Sequence, residues 1–131
     1  MRIERRFTKP GQSPYAEIEF RKAISEIKNP DGSVVFRLAD IDVPAQFSQV
    51  ATDVLAQKYF RKAGVPKVLK KVEENDVPSF LWRSVADTAA MKDLPEAERY
   101  GSEIDARQVF DRLAGTWAYW GWKGKYFSSE E

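Results

Sequence analysis

The chain has neither cysteine nor histidine among its 131 residues. Without cysteine there is no disulfide framework, no thiolate nucleophile, no thiyl radical and no thiolate-bound metal. Without histidine the usual imidazole zinc ligand is gone, and so is the side chain that titrates near neutrality. Any catalysis would have to rest on carboxylates, lysines, tyrosines or hydroxyls. Long apolar runs are missing too, and those present are far too short to span a bilayer. The start, Met1-Arg2-Ile3-Glu4-Arg5-Arg6, has charges but no apolar stretch behind it, which excludes a signal peptide. A cytoplasmic location is the expectation. Excess charge of one sign is also absent: 21 Lys and Arg face 20 Asp and Glu, for a formal charge of +1. No global field draws the chain to nucleic acid or anionic membrane. The seven glycines are scattered, and no phosphate-binding loop pattern occurs.

What is there suits one ordinary domain with a modest core. Apolar residues make up 43% and charged residues 31%, respectively a little low and a little high for a globular chain. Residues 1–14 are polar and hold Lys9-Pro10-Gly11 and Ser13-Pro14. They read as an irregular arm. Residues 15–41 read as an antiparallel β-hairpin. Ile18, Phe20 and Ile24 fall on one face and Glu17, Glu19 and Arg21 on the other; Val34, Phe36 and Leu38 repeat the period of two. Between the strands, Asn29-Pro30-Asp31-Gly32 is a turn signal. Pro30 presets φ for the first central position, and Gly32 takes the left-handed conformation.

Residues 44–131 read as mainly helical. Phe47, Val50, Ala51, Val54, Leu55 and Tyr59 recur at helical spacing from Pro44 or Ser48, with Gly64 as the left-handed stop. Pro66 opens a short helix over Lys67 to Glu74. Phe80-Leu81-Trp82 reads as a buried anchor, and Asp87 to Lys92 as a short helix. Ser102 with Asp105 resembles a capping box for a helix carrying Ala106, Val109, Phe110, Leu113, Trp117 and Trp120, ending at Gly121. Gly115 inside that helix costs ~1 kcal/mol against Ala, which predicts a neighbour in close approach. Val109, Phe110, Leu113 and Trp117 are expected to face the core. Trp120, Trp122, Tyr126 and Phe127 are expected to be partly exposed and to form an interface. Ser128 with Glu131 is a further capping box, so the chain reads as the front segment of a longer protein.

No catalytic constellation emerges. Lys67, Lys70 and Lys71 could hold a phosphate, but a solvated helix face explains them better. Glu73, Glu74, Asp76, Asp87, Asp93, Glu96 and Glu98 lie in polar surroundings and read as surface rather than as a general acid–base pair. The aromatics Trp117, Tyr119, Trp120, Trp122, Tyr126 and Phe127, with Lys123 and Lys125 between them, could stack nucleic-acid bases. Packing in a core or an interface is the stronger reading. The expected catalytic, cofactor-binding and metal-ligating residues are therefore none.

Five stretches carry a family resemblance: Asn29–Phe36, Val43–Ala51, Leu55–Pro66, Asp105–Gly115 and Trp117–Ser128. With them the chain resembles, over nearly its whole length, the N-terminal region of the bacterial class II ribonucleotide reductases, which depend on adenosylcobalamin (vitamin B12). The resemblance implies a parent enzyme that replaces the 2′-hydroxyl of a ribonucleotide. In that family the cobalt–carbon bond homolyses, a cysteine becomes a thiyl radical that takes the 3′ hydrogen, and two further cysteines supply the electrons. That chemistry sits in a downstream ten-stranded α/β barrel, which opens with an Asn-Ser-Pro motif. None of those residues occurs here. The resemblance thus implies a non-catalytic α+β domain that braces the barrel, with substrate and adenosylcobalamin held by the barrel and not by this segment. It leaves a homodimer of the parent open, and it implies no membrane and no direct nucleic-acid contact. Two rivals stand beside it: a single-stranded nucleic-acid binder using the aromatic tail, and a stand-alone protein-interaction module.

Overall fold

The computed structural model describes residues 1–130. Glu131 lies outside them, and with it the expected capping box of Ser128. The architecture is α+β. A hairpin of β1 (Phe20–Lys28) and β2 (Val34–Pro44) comes first. Helix α1 (Gln49–Val54) follows and widens into a π-helical turn over Leu55–Tyr59. Two small antiparallel ribbons come next. One pairs β3 (Val65–Pro66) with β6 (Tyr100–Gly101), the other β4 (Leu69–Lys71) with β5 (Ser84–Ala86). Single 3₁₀ turns lie at Ser79–Leu81 and Glu96–Glu98, and α2 (Ala106–Lys123) is the long helix. No helix among the described residues is long and apolar enough to cross a membrane.

The hairpin turn forms as its sequence demands. Gly32 sits at φ +88°, its N–H donates to the Asn29 carbonyl at 2.9 Å, and Asp31 Oδ1 accepts from the Ser33 N–H at 2.8 Å. The strands differ from expectation in extent and in face. Residues 14–17 form a turn, so β1 begins at Phe20 and not at residue 15. β2 runs past residue 41 to Pro44. Ala23 pairs with Ile41 but Ser25 with Leu38, so β2 carries one extra residue there, and Asp40 takes φ +55°. That bulge switches the inward parity from Phe36 and Leu38 to Ile41 and Val43. The core face of β1 is Ala23 and Ser25. Ile18 and Ile24 are each 41% exposed, on the face that also carries the Lys22–Asp42 and Glu26–Arg37 ion pairs.

The chain divides into two compact units. One comprises residues 5–61 and 103–110. Its core is Ala23, Ile41, Val43, Leu55, Ala56, Phe60, Ala106 and Val109. A polar network runs along it. Buried Ser25 donates to Asp53 Oδ1 at 2.7 Å, Gln57 donates to Ser25, and Arg21 donates to the Phe47 carbonyl at 2.7 Å. This network draws the Asp53 side of α1 toward the hairpin, which leaves Val50, Val54 and Tyr59 exposed against the expected pattern. Ser48 caps α1, its Oγ accepting from the Ala51 N–H at 3.1 Å. Gly64 does not end it. The helix stops at Tyr59, because Phe60 turns extended (φ −63°, ψ 129°) and is buried. The Arg61 N–H then donates to the buried Glu103 carboxylate at 2.8 Å. Gly64, at φ +75°, belongs to the following turn.

The expected Ser102–Asp105 box is replaced by one a turn later. Asp105 Oδ1 accepts from the Arg107 N–H, and Gln108 Oε1 accepts from the Asp105 and Ile104 N–H groups at 3.0 and 2.9 Å. Each side chain thus satisfies amides that the helix start leaves free. Arg107 lies 4.1 Å over the Phe20 ring, which meets Tyr15 edge-on.

The other unit comprises residues 1–4, 62–102 and 111–131, and it overturns two helix expectations. Lys67 to Glu74 is not helix: Leu69–Lys71 is strand β4, and the residues on either side of it are irregular. The Lys67 N–H donates to the Arg99 carbonyl and the Val72 N–H to the Arg83 carbonyl, so pairing overrides local propensity. Asp87 to Lys92 makes only one turn, with the Asp87 carboxylate accepting from the Ala90 N–H. Phe80 is 63% exposed, so the expected anchor is only half-buried Leu81 and Trp82. Among this unit's described residues the buried apolar side chains are Val77, Pro78 and Met91, a thin core. The arm is held at its start, where Met1 hydrogen-bonds Tyr126 and Ser128.

Candidate functional site

The C-terminal half of α2 gathers the aromatic residues. Tyr119 and Lys123 stand one turn apart, and both reach Glu74. Tyr119 donates to Glu74 Oε2 at 2.8 Å and Lys123 Nζ to Oε1 at 2.7 Å. The Lys123 ammonium, then the Tyr119 hydroxyl, hold the Glu74 carboxyl below its ordinary value. In return the Glu74 carboxylate raises both Tyr119 and Lys123. Glu74 is therefore a fixed partner and not the free surface acid that its neighbours suggested. Trp122 Nε1 donates to the Asp76 carbonyl at 2.6 Å, with Asp76 at φ +62°.

The helix closes in a Schellman motif. Tyr126 N–H donates to the Gly121 carbonyl and Lys125 N–H to that of Trp122, both at 2.9 Å. Lys125 holds the left-handed position at φ +58°, where glycine is usual. A Cβ on Gly121 would collide with the Phe127 ring, so the close approach occurs there and not at Gly115, where an added Cβ would meet no neighbour outside its own helix turn. An open cavity of about 300 Å³ is lined by Asp76, Trp122, Lys123, Lys125 and Phe127.

The expected division of the aromatics is met only in part. Val109 is buried, and Phe110 and Leu113 are half-buried. Trp117, expected inside, is 63% exposed, with Trp120 and Tyr126 at 64%. Trp122 and Phe127 are half-buried. The helical wheel groups Trp117 with Leu113, but the described chain supplies nothing to cover it.

The other sequence candidates do not assemble. Lys67, Lys70 and Lys71 lie on or beside strand β4, not on one helix face, and Lys71 donates to the Trp82 carbonyl at 2.9 Å. No group of three or more acidic residues close enough to hold a metal exists among the described residues. Residues missed from the sequence are structural: the Ser25–Asp53–Gln57 network and the buried Glu103. Their signal, a polar residue amid an apolar period, is shared with every solvent-facing position.

Fold and surface thus define an α+β segment that ends in an aromatic helix with bare apolar faces. The family model described as class II vitamin B12-dependent ribonucleotide reductase matches residues 21–131. Similar curated proteins are the vitamin B12-dependent ribonucleotide reductases of Agrobacterium fabrum, 93% identical over this whole chain, and of Bradyrhizobium diazoefficiens, 70% identical over the same span. That of Streptomyces avermitilis is 29% identical over 98% of it. The chain spans 10% of the length of each of these relatives. It belongs to the class II vitamin B12-dependent ribonucleotide reductase family.

Proposed function

We propose that the chain is the N-terminal, non-catalytic domain of a cytoplasmic vitamin B12-dependent ribonucleotide reductase. Its parent converts ribonucleotides to deoxyribonucleotides through a cobalamin-initiated thiyl radical. The observation that carries this reading is the match over residues 21–131 to a family whose named members are ten times as long. The absence of cysteine fits a supporting role, since a thiyl mechanism needs a thiol.

Adenosylcobalamin does not fit the residues present. The open cavity of about 300 Å³ beside the end of α2 is small for a corrinoid. No step of the reaction is therefore assigned to this segment. Its partner is the catalytic barrel of the same polypeptide, which holds cofactor and substrate. Nucleic acid is not a partner in this reading, because Lys123 is already tied to Glu74 and Trp122 to Asp76.

The test is deoxyribonucleotide formation from ribonucleotides with adenosylcobalamin and a dithiol. The full-length gene product is expected to form it and the 131-residue chain to form none. Activity of the short chain would overturn the non-catalytic role. An inactive full-length enzyme would overturn the parent activity. Salt-dependent oligonucleotide binding by the short chain would favour the nucleic-acid rival.

A further inference from the structure

Ala114, Gly115, Thr116 and Trp117 are consecutive in α2, and all four are exposed. At about 100° per residue, four consecutive positions sample the whole circumference of a helix. This turn is therefore bare all round and not on one face only. A helix turn that stays in water normally carries charge on its outer side. This one carries none. Its single polar side chain is satisfied within the helix: Thr116 Oγ1 donates to the Arg112 carbonyl at 2.5 Å. Trp117, and Trp120 one turn on, add two large apolar surfaces at 63% and 64% exposure. A turn with every polar group satisfied internally loses little on entering a dry environment.

We propose that the turn Ala114–Trp117 is a plug, enclosed on all sides by the remainder of the reductase polypeptide. The inference rests on the reading that this chain is part of that longer enzyme. The occupant follows from shape and length. A second copy of the helix, packed ridge into groove, covers one side of α2 and leaves the other wet. Covering all sides needs a concave socket, and nine-tenths of the relatives' length lies outside this chain to build it. A turn without charge or a free polar group suits a socket wall that is apolar where it touches the turn.

The test is an arginine scan in the full-length enzyme: Ala114→Arg, Gly115→Arg, Thr116→Arg and Trp117→Arg, read by thermal melting. Arginine is a good helix former, so at Gly115 and Thr116 the change favours the helix itself, and a loss reports the surroundings. Each variant is expected to melt on the order of 5 °C or more below wild type. Sensitivity at two adjacent positions with neutrality at the other two would overturn the plug in favour of one-sided packing. Neutrality at all four would overturn it in favour of a solvated helix. Reductase activity of the wild-type enzyme, measured alongside, tests the functional reading separately. Should the variants fail to fold, hydroxyl-radical labelling of wild-type enzyme decides. Trp117 and Trp120 are expected to label at least tenfold more slowly than exposed tryptophan, and labelling at the exposed rate would overturn the proposal.

Discussion

Gly32, in the hairpin turn, and Lys125, at the end of α2, both hold a positive φ, at +88° and +58°. Gly32 was legible, because Pro30, Asp31 and Gly32 fall in the order that one turn type requires. Gly32→Val is expected to destabilise the chain by ~1 kcal/mol or more, since valine resists φ +88°. Chemical denaturation, read as a lower midpoint with an unchanged slope, checks this. Lys125 was not legible. A glycine stands beside it at position 124, yet the hydrogen bonds of the helix end put lysine in the left-handed position. Lys125→Gly is expected to stabilise by ~0.5–1 kcal/mol on conformational grounds. A lower midpoint for that variant would mean that the Lys125 side chain contributes more by its contacts than its backbone costs.

At the scale of elements, existence was easier to read than orientation. The hairpin and α2 follow from period and caps, but their faces do not. One extra residue at Ala39–Asp40 reverses which parity of β2 points inward, and no local signal marks it. Pro66 signals a helix start just before β4, whereas the conformation of β4 is set by β5, thirteen or more residues away. The Glu74 link shows the same dependence on distant partners, and it has a pH signature. Glu74 lies below its ordinary value of 4.5, so its contribution is complete above that value and is lost as pH falls through the lowered one. Tyr119 lies above its ordinary 10.0, so its contribution is complete below that value and is lost as pH rises through the raised one. Glu74→Gln is expected to lower the melting temperature at pH 7. The gap from wild type should begin to narrow as pH falls below 4.5 and as it rises above 10.0, and close only beyond the shifted values. A gap that is constant across pH would show that the link adds nothing through charge.

For the whole molecule, the absence of cysteine and the family stretches spoke most clearly from sequence, and the distribution of burial spoke least. All four tryptophans lie in residues 62–102 and 111–131, where the buried apolar side chains among the described residues are Val77, Pro78 and Met91. Composition registers such a chain as having aromatic residues enough for a core, but it does not register where they point. The tryptophans also fall into two kinds. Trp82 and Trp122 give their indole N–H to the carbonyls of Val77 and Asp76, while Trp117 and Trp120 stand in water. The molecule therefore carries its own optical gauge. Emission of the short chain should resolve into a red-shifted half that iodide or acrylamide quenches readily and a bluer half that resists. In an assembled enzyme that covers α2, the red half should move to the blue, with no label attached.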